Sequence, residues 1–343
     1  MGQDLWRYLQ TVKKPIVLYG MGNGADKIID ALKAYGIEIS GVFATDGFVR
    51  EKYFHGFKLS SYSELKEKFG EMTVLLCFGS SRPEVLDNIK RISAEQELYA
   101  PDVPVYGGGL FNIEYVREKR NALERVYSRL ADEKSRETFE NTVKYKLSGK
   151  LEYLYRCEAD EDEPYNTFLK LCNNESYIDL GAYTGDTVAD FVSRVKDYNS
   201  ITAVEPDKKS FKKLCINAER LENFKAINAC VSDQSGTEAF AMRGGRNSSL
   251  GTGTEIQSVT VDEIATAGAT FIKADVEGGE AKMIIGAKST ILRYKPKIQL
   301  ACYHRNEDLF SLPEAFFDIR DDYKLYLRHF PSVPAWDTNY YFI

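Results

Sequence analysis

Short apolar runs alternate with longer amphipathic stretches along most of the chain. Pro15-Ile-Val-Leu-Tyr-Gly20 reads as a strand ending in glycine, Asp26 to Tyr35 as a helix, and Ile39 to Phe43 as a second strand. Thr73 to Phe78 is another apolar strand, Arg82 to Ile92 the helix after it, and Val103 to Tyr106 a further short strand. Strands separated by helices of this length predict βαβ units and a parallel sheet. From 111 to 170 the period changes. Val116, Leu123, Val126, Tyr127, Leu130, Phe139, Val143 and Leu147 recur at helical spacing between dense charges, which predicts a helical connector. The alternation resumes at Ser176. Strands are expected at Tyr177–Leu180, Ile201–Val204, Ala226–Val231, Phe271–Ala274 and Lys297–Ala301. Tyr323–Phe330 and Thr338–Ile343 read as a closing pair, joined by the stretch Pro331 to Asp337.

This pattern predicts an α/β protein with two Rossmann-like domains, at residues 1–110 and 171–343, joined by the connector 111–170. The length of 343 residues agrees with two such cores. Hydrophobic residues make up 43% and charged residues 28%, the balance of a folded globular chain. A net charge of −6 offers no field for polyanions, so nucleic acid and anionic membrane are not expected partners. Homo-oligomerisation stays open. The six cysteines form no C-x-x-C pair, which argues against a disulfide framework or a cysteine zinc site. Met1 to Lys14 holds charges and no apolar segment, and no apolar run reaches the roughly 18 residues of a membrane span. A cytoplasmic chain is expected. The acidic run Glu158 to Glu163 reads as a solvated turn.

The chemistry concentrates at Tyr177-Ile-Asp-Leu-Gly-Ala-Tyr-Thr-Gly-Asp-Thr187. An apolar strand runs into Asp179, then Gly181 and Gly185, then the helix expected from Thr187. Glycines let the backbone approach a ligand, and the helix start offers free N–H groups. The spacing is D-x-G-x-x-x-G. A carboxylate in such a loop repels a pyrophosphate and suits an amine-bearing or cationic ligand. Glu205, in Ala203-Val-Glu-Pro-Asp207, ends the next strand, where an acid can accept both hydroxyls of a ribose. Ser232-Asp233 closes the third, where a carboxylate can accept from an adenine amino group. The three strand ends match the aminoacyl, ribose and base parts of S-adenosylmethionine. A tight strand-to-helix turn with no ligand is the plainer alternative.

The order D-L-G-A-Y-T-G-D-T, V-E-P, S-D-Q-S-G and K-A-D-V-E-G-G-E, with Gly286 behind it, resembles the FkbM family of SAM-dependent methyltransferases, over about Tyr165 to Ile343. The resemblance implies a methyltransferase fold for the C-terminal domain, a mostly parallel sheet with a closing antiparallel hairpin. It implies S-adenosyl-L-methionine as cofactor, held by Asp179, Gly181, Ala182, Gly185, Asp186, Thr187, Glu205, Pro206 and Asp233. It also implies O-methylation of a hydroxyl on a glycan, nucleotide-sugar or natural product.

Methyl transfer is an in-line displacement, so an acceptor hydroxyl must be aligned and its proton removed. The groups for this are expected at the carboxyl ends of the later strands. Asp275 ends one such strand and Glu277 follows it. His304 ends the next strand, and its ordinary pKa suits proton transfer near neutrality. Asp275 and Glu277 can alternatively share a divalent metal with the acceptor hydroxyl. Glu280 starts the next helix, where its carboxylate suits the dipole. His329 lies on the closing pair, where a structural role is expected. Tyr183 and Tyr303 can face a sulfonium or simply pack. Arg246-Asn-Ser-Ser249, in a Gly-rich stretch, can close over the acceptor or form a surface tip.

The first glycine loop, Gly20-Met-Gly-Asn-Gly-Ala25, fits the looser dinucleotide pattern G-x-G-x-x-A, with Asp46 after the next strand. Gly79-Ser80-Ser81 is a possible phosphate contact. The domain resembles, diffusely, the small Rossmann-like domains found beside sugar-modifying enzymes. Two rival functions follow: an NAD-dependent oxidoreductase or epimerase built on this loop, and a non-catalytic SAM-binding scaffold. Tyr62-Ser-Glu-Leu-Lys66 spells a dehydrogenase Y-x-x-x-K pair but falls too early in the domain to serve hydride transfer.

Overall fold

The computed structural model describes residues 3–45, 52–241, 249–250 and 254–343. Asp46 and most of the Gly244–Gly253 stretch lie outside them. The N-terminal sheet contains β1 (Ile16–Tyr19), β2 (Gly41–Ala44), β3 (Tyr53–Phe54), β4 (Phe57–Ser61), β5 (Thr73–Leu76) and β6 (Glu97–Tyr99), in the order β3-β4-β2-β1-β5-β6. All its pairs are parallel except β3 with β4. Val17, Leu18, Val74 and Leu75 are fully buried, because helices cover both faces. One difference from the sequence pattern is that Val103–Tyr106 is loop and the edge strand is β6. Pro104 and the glycines that follow Tyr106 disfavour a strand there.

The second sheet is built from β7 (Ser176–Leu180), β8 (Ser200–Val204), β9 (Phe224–Ile227) and four later strands. Between β9 and those four lies a smaller sheet of β10 (Cys230–Val231), β11 (Gly236–Ala241), β12 (Ser249–Leu250) and β13 (Thr254–Val259). Then follow β14 (Phe271–Ala274), β15 (Lys297–Ala301), β16 (Leu325–His329) and β17 (Thr338–Phe342). The large sheet runs β16-β17-β15-β14-β7-β8-β9, parallel from β15 to β9, with β17 antiparallel to β15 and to β16. This is the expected parallel sheet with a closing hairpin. The stretch expected as one strand, Ala226–Val231, divides: β9 ends at Ile227 and β10 pairs into the smaller sheet.

The connector region is helical, but it is also core. Phe111, Leu123, Val126, Leu130, Phe139 and Leu147 are buried in one cluster with Leu300, Leu325 and Phe342. Tyr145, Leu151 and Leu154 pack instead with Val74, Leu76 and Val333. Helices Glu133–Ser148 and Leu151–Cys157 are thus wedged between the two sheets. Part of the acidic run is tied down as well. Glu163 and Asp132 pair with the buried Arg328 at 2.8 and 2.7 Å. Tyr62 and Lys66 both reach Glu95, at 2.9 and 2.7 Å, so that pair is a structural clamp. None of the helices among the described residues is long and apolar enough to cross a membrane.

His329 is fully buried beside Thr338, and burial pushes its imidazole down to about 4. An unfolded chain protonates this group near pH 6.5. Stability present above about pH 6.5 is therefore lost as pH falls toward 4, by about 2–3 kcal/mol from this residue. His329→Gln should flatten that part of the profile, measured as unfolding free energy at pH 7 and pH 4.5. An unchanged difference would assign the acid sensitivity elsewhere.

Candidate functional site

β7 ends in Leu180, and the chain turns through Gly181 (φ +80°) and Gly185 (φ +89°) into the helix Asp186–Arg194. A Cβ on Gly181 would stand 1.9 Å from the Asp275 carbonyl oxygen, so the loop passes hard against the end of β14. Gly181 and Ala182 both donate to the Val204 carbonyl, at 2.9 and 3.0 Å, which anchors the loop to β8 as well.

Asp179 is fully buried. One oxygen accepts from the Thr187 hydroxyl, and the other lies 3.5 Å from the Lys273 ammonium without a hydrogen bond. Burial pushes Asp179 up, opposed by Lys273 and Thr187. As it stands, Asp179 is not open to a ligand amine; it supports the loop from beneath. Thr187 serves that support, and Asp186 opens the helix's first turn. Lys273, on β14, reaches to 3.4 Å of the Gly181 carbonyl. Sequence reading missed it, although a lysine in an otherwise apolar strand was the available signal.

Glu205 follows β8 and is 6% exposed. Its two oxygens accept from the Tyr183 and Asp207 amides, each at 2.8 Å. Burial pushes its carboxyl up to about 7, against those two hydrogen bonds. Pro206 and Glu205 offer their carbonyls to the Asn228 side chain, at 3.1 and 2.8 Å. Asn228, not Asp233, follows directly on β9. Asp233 comes after β10, with its side chain 32% exposed and 3.9 Å from the Lys282 ammonium. The carbonyl before it touches helix Glu280–Gly286, where a Cβ on Gly286 would stand 2.2 Å from the Ser232 oxygen.

The three residues expected to act chemically come together. His304 Nε2 lies 3.4 Å from Asp275 and 3.5 Å from Glu277, and Nδ1 lies 3.0 Å from Glu280. The Tyr303 hydroxyl donates to both Asp275 oxygens at 3.1 Å, so Tyr303 serves a carboxylate and not a sulfonium. Tyr106 donates to Glu277 at 3.1 Å, and its ring fills the space beside Gly278. Glu280 is 1% exposed and accepts from the Val276 amide at 3.0 Å, so it is an inner member of the cluster as well as a helix start. His304 is also 1% exposed. Its burial opposes charge, but the carboxylates of Glu280, Glu277 and Asp275 outweigh that and hold its pKa well above the ordinary value. These carboxylates favour the charged imidazole over the neutral form that a base requires. Glu277 sits at φ +54°, a strained conformation for a non-glycine residue, and burial pushes its carboxyl up.

The first glycine loop keeps its form, with Gly20 and Gly22 at φ +105° and +103°. Its neighbour is a packing surface: a Cβ on Gly79 would stand 2.1 Å from the Trp336 ring, and Ser80 pairs with Val333 through backbone bonds of 2.8 and 3.0 Å. Gly79-Ser80 therefore docks the C-terminal stretch.

A parallel sheet with a closing hairpin, a glycine loop after its first strand and an acid after its second define a methyltransferase-type α/β unit. Residues 179–328 match the family model of the methyltransferase FkbM domain, and this match supports a methyltransferase. The chain is similar to the crystal structure of methyltransferase FkbM from Methylobacillus flagellatus KT, with TM-score 0.71 and 20% identity over 96% of this chain and 90% of that one. It also aligns with fibrillarin from Aeropyrum pernix bearing natively bound S-adenosyl-L-methionine, at TM-score 0.33 and 15% identity over 50% of this chain and 67% of that one. No curated protein matches the sequence.

Proposed function

We propose that the enzyme uses S-adenosyl-L-methionine to methylate a hydroxyl of a glycan, nucleotide-sugar or natural-product acceptor. The observation that carries this reading is the gathering of the Gly181–Gly185 loop, Glu205 and the Asp275–Glu277–His304 cluster at the carboxyl ends of β7, β8, β14 and β15. Ligands of open α/β sheets collect at that edge. The donor set fits the cofactor. Each Glu205 oxygen spends one acceptor site on a backbone amide and keeps another for a ribose hydroxyl. We assign Asp233 to the adenine amino group and the 181–185 backbone to the aminoacyl end, with Asp179 and Lys273 beneath it. When bound, the cofactor supplies an electrophilic methyl group on a sulfonium.

The chain's own residues do the rest. Glu277 is the base that takes the acceptor proton, held by Tyr106. Asp275, fixed by Tyr303, aligns the acceptor hydroxyl. His304 lies among these carboxylates, 3.0 Å from Glu280, 3.4 Å from Asp275 and 3.5 Å from Glu277. Alignment of this kind contributes roughly 7–11 kcal/mol to such reactions. A net charge of −6 suits a small or carbohydrate acceptor better than a polyanion.

Glu205→Ala should weaken S-adenosyl-L-methionine binding about 10- to 100-fold, since hydrogen bonds to a charged acceptor contribute about 1.5–3 kcal/mol each. Calorimetric titration reads this directly. Unchanged affinity would remove Glu205 from the ribose site.

A further inference from the structure

Four carboxylates, those of Asp275, Glu277, Glu280 and Asp308, surround His304. Asp308 is 2% exposed and accepts from the Arg305 amide at 2.7 Å. The cationic side chains nearby are engaged elsewhere: Lys273 is paired with Asp179, and the Arg305 guanidinium donates to the Gly278 carbonyl at 3.2 Å.

Two buried groups in this cluster lack hydrogen bonds. One is the second oxygen of Glu280. The other is the His304 ring: despite their short approaches to carboxylates, neither nitrogen has a bond of acceptable geometry. Leaving buried polar atoms unpaired is costly, and such atoms call for a partner. The spacing says which kind. Donors held about 2.0–2.2 Å from a small octahedral cation lie roughly 2.8–3.1 Å apart when adjacent and about 4.0–4.4 Å apart when opposite. His304 Nε2 and Asp275 Oδ1 are 3.4 Å apart, and donor atoms of Asp275, Glu280 and His304 all fall within 4.8 Å of one another.

We propose that Asp275, Glu280 and His304 bind one divalent cation of the magnesium or manganese type at the carboxyl edge of β14 and β15. The site deepens the proposed function and rests on its reading of this edge as the reaction centre. Two carboxylates and an imidazole suit hard to borderline divalent ions. The ion takes the place of the imidazolium proton and supplies the missing positive charge. Asp275 is the ligand with access to the acceptor, its side chain being 35% exposed, so a remaining coordination position can hold the acceptor hydroxyl and make it more acidic. Glu277 then receives a proton that the ion has loosened.

The test is titration of the full chain, stripped with EDTA, with manganese chloride, followed by calorimetry and by the electron paramagnetic resonance signal of free manganese. One ion per chain is expected. Asp275→Asn and Glu280→Gln, checked for folding by circular dichroism, should each weaken it at least 10-fold. Should a variant fail to fold, the wild-type stoichiometry and a manganese-dependent rise in melting temperature decide. Absence of saturable manganese binding overturns the site, as does unchanged affinity in both folded variants. S-adenosyl-L-methionine titrated in EDTA separates the two proposals. Cofactor binding without manganese binding overturns the cation site and leaves the methylation reading standing. Manganese binding without cofactor binding does the reverse.

Discussion

Gly181→Ala is expected to destabilise the protein by about 3–5 kcal/mol and to abolish cofactor binding. The residue sits at φ +80°, where a Cβ is strained. The added atom would also meet the Asp275 carbonyl oxygen at 1.9 Å. Neither side can yield. The Gly181 amide donates to Val204 and the Asp275 amide to Leu180, both at 2.9 Å, so the contact lies where β8, β7 and β14 are stitched together. Relief would mean parting strands in the middle of the sheet. Gly108→Ala is the control, because nothing lies within 4 Å of its Cβ position and its φ is unremarkable for an L-residue. That change should stay within about 0.5 kcal/mol. Urea unfolding of both variants measures the difference. A loss below about 1 kcal/mol at Gly181 would show that the loop does not press on β14 as described.

Glu277→Gln should lower kcat about 10²- to 10⁴-fold while leaving cofactor affinity within about threefold. The amide keeps the shape of the carboxylate and can still accept from Tyr106, but it cannot take a proton. The cofactor is assigned to β7 and β8, so its binding should not register the change. A parallel fall in affinity would make Glu277 part of the binding surface. A kcat within threefold of wild type would pass the role of base to another group. Steady-state kinetics with a working acceptor, together with cofactor titration, separates these outcomes.

The parts of the molecule legible in the sequence are those where burial leaves a strong local mark. β1, β5, β7 and β14 lie in the middle of their sheets and carry apolar runs, and the turns after β1 and β7 need positive φ at Gly20 and Gly181. The smaller sheet left no such mark. Thr237, Glu238, Glu255 and Gln257 interrupt the apolar pattern of its strands. The division of Ala226–Val231 between two sheets was hidden for a related reason: the break spans only Asn228 and Ala229, between apolar residues on both sides. Asp275, Glu277 and His304 were findable because strand ends in parallel sheets gather ligands. Tyr106 was not, since its partner Glu277 is 171 residues away and no local pattern links them. His304 was found but its chemistry was not. Its ordinary pKa suggests a base, and only the carboxylates folded around it push that pKa up.

The carboxyl edge of β7 and β8 is the proposed S-adenosyl-L-methionine site. Its most direct test is calorimetric titration of the intact, folded chain with S-adenosyl-L-methionine. Saturable one-to-one binding is expected, lost in Gly181→Ala and weakened in Glu205→Ala. No binding at cofactor concentrations up to about 1 mM, in a chain whose circular dichroism shows it folded, would contradict it.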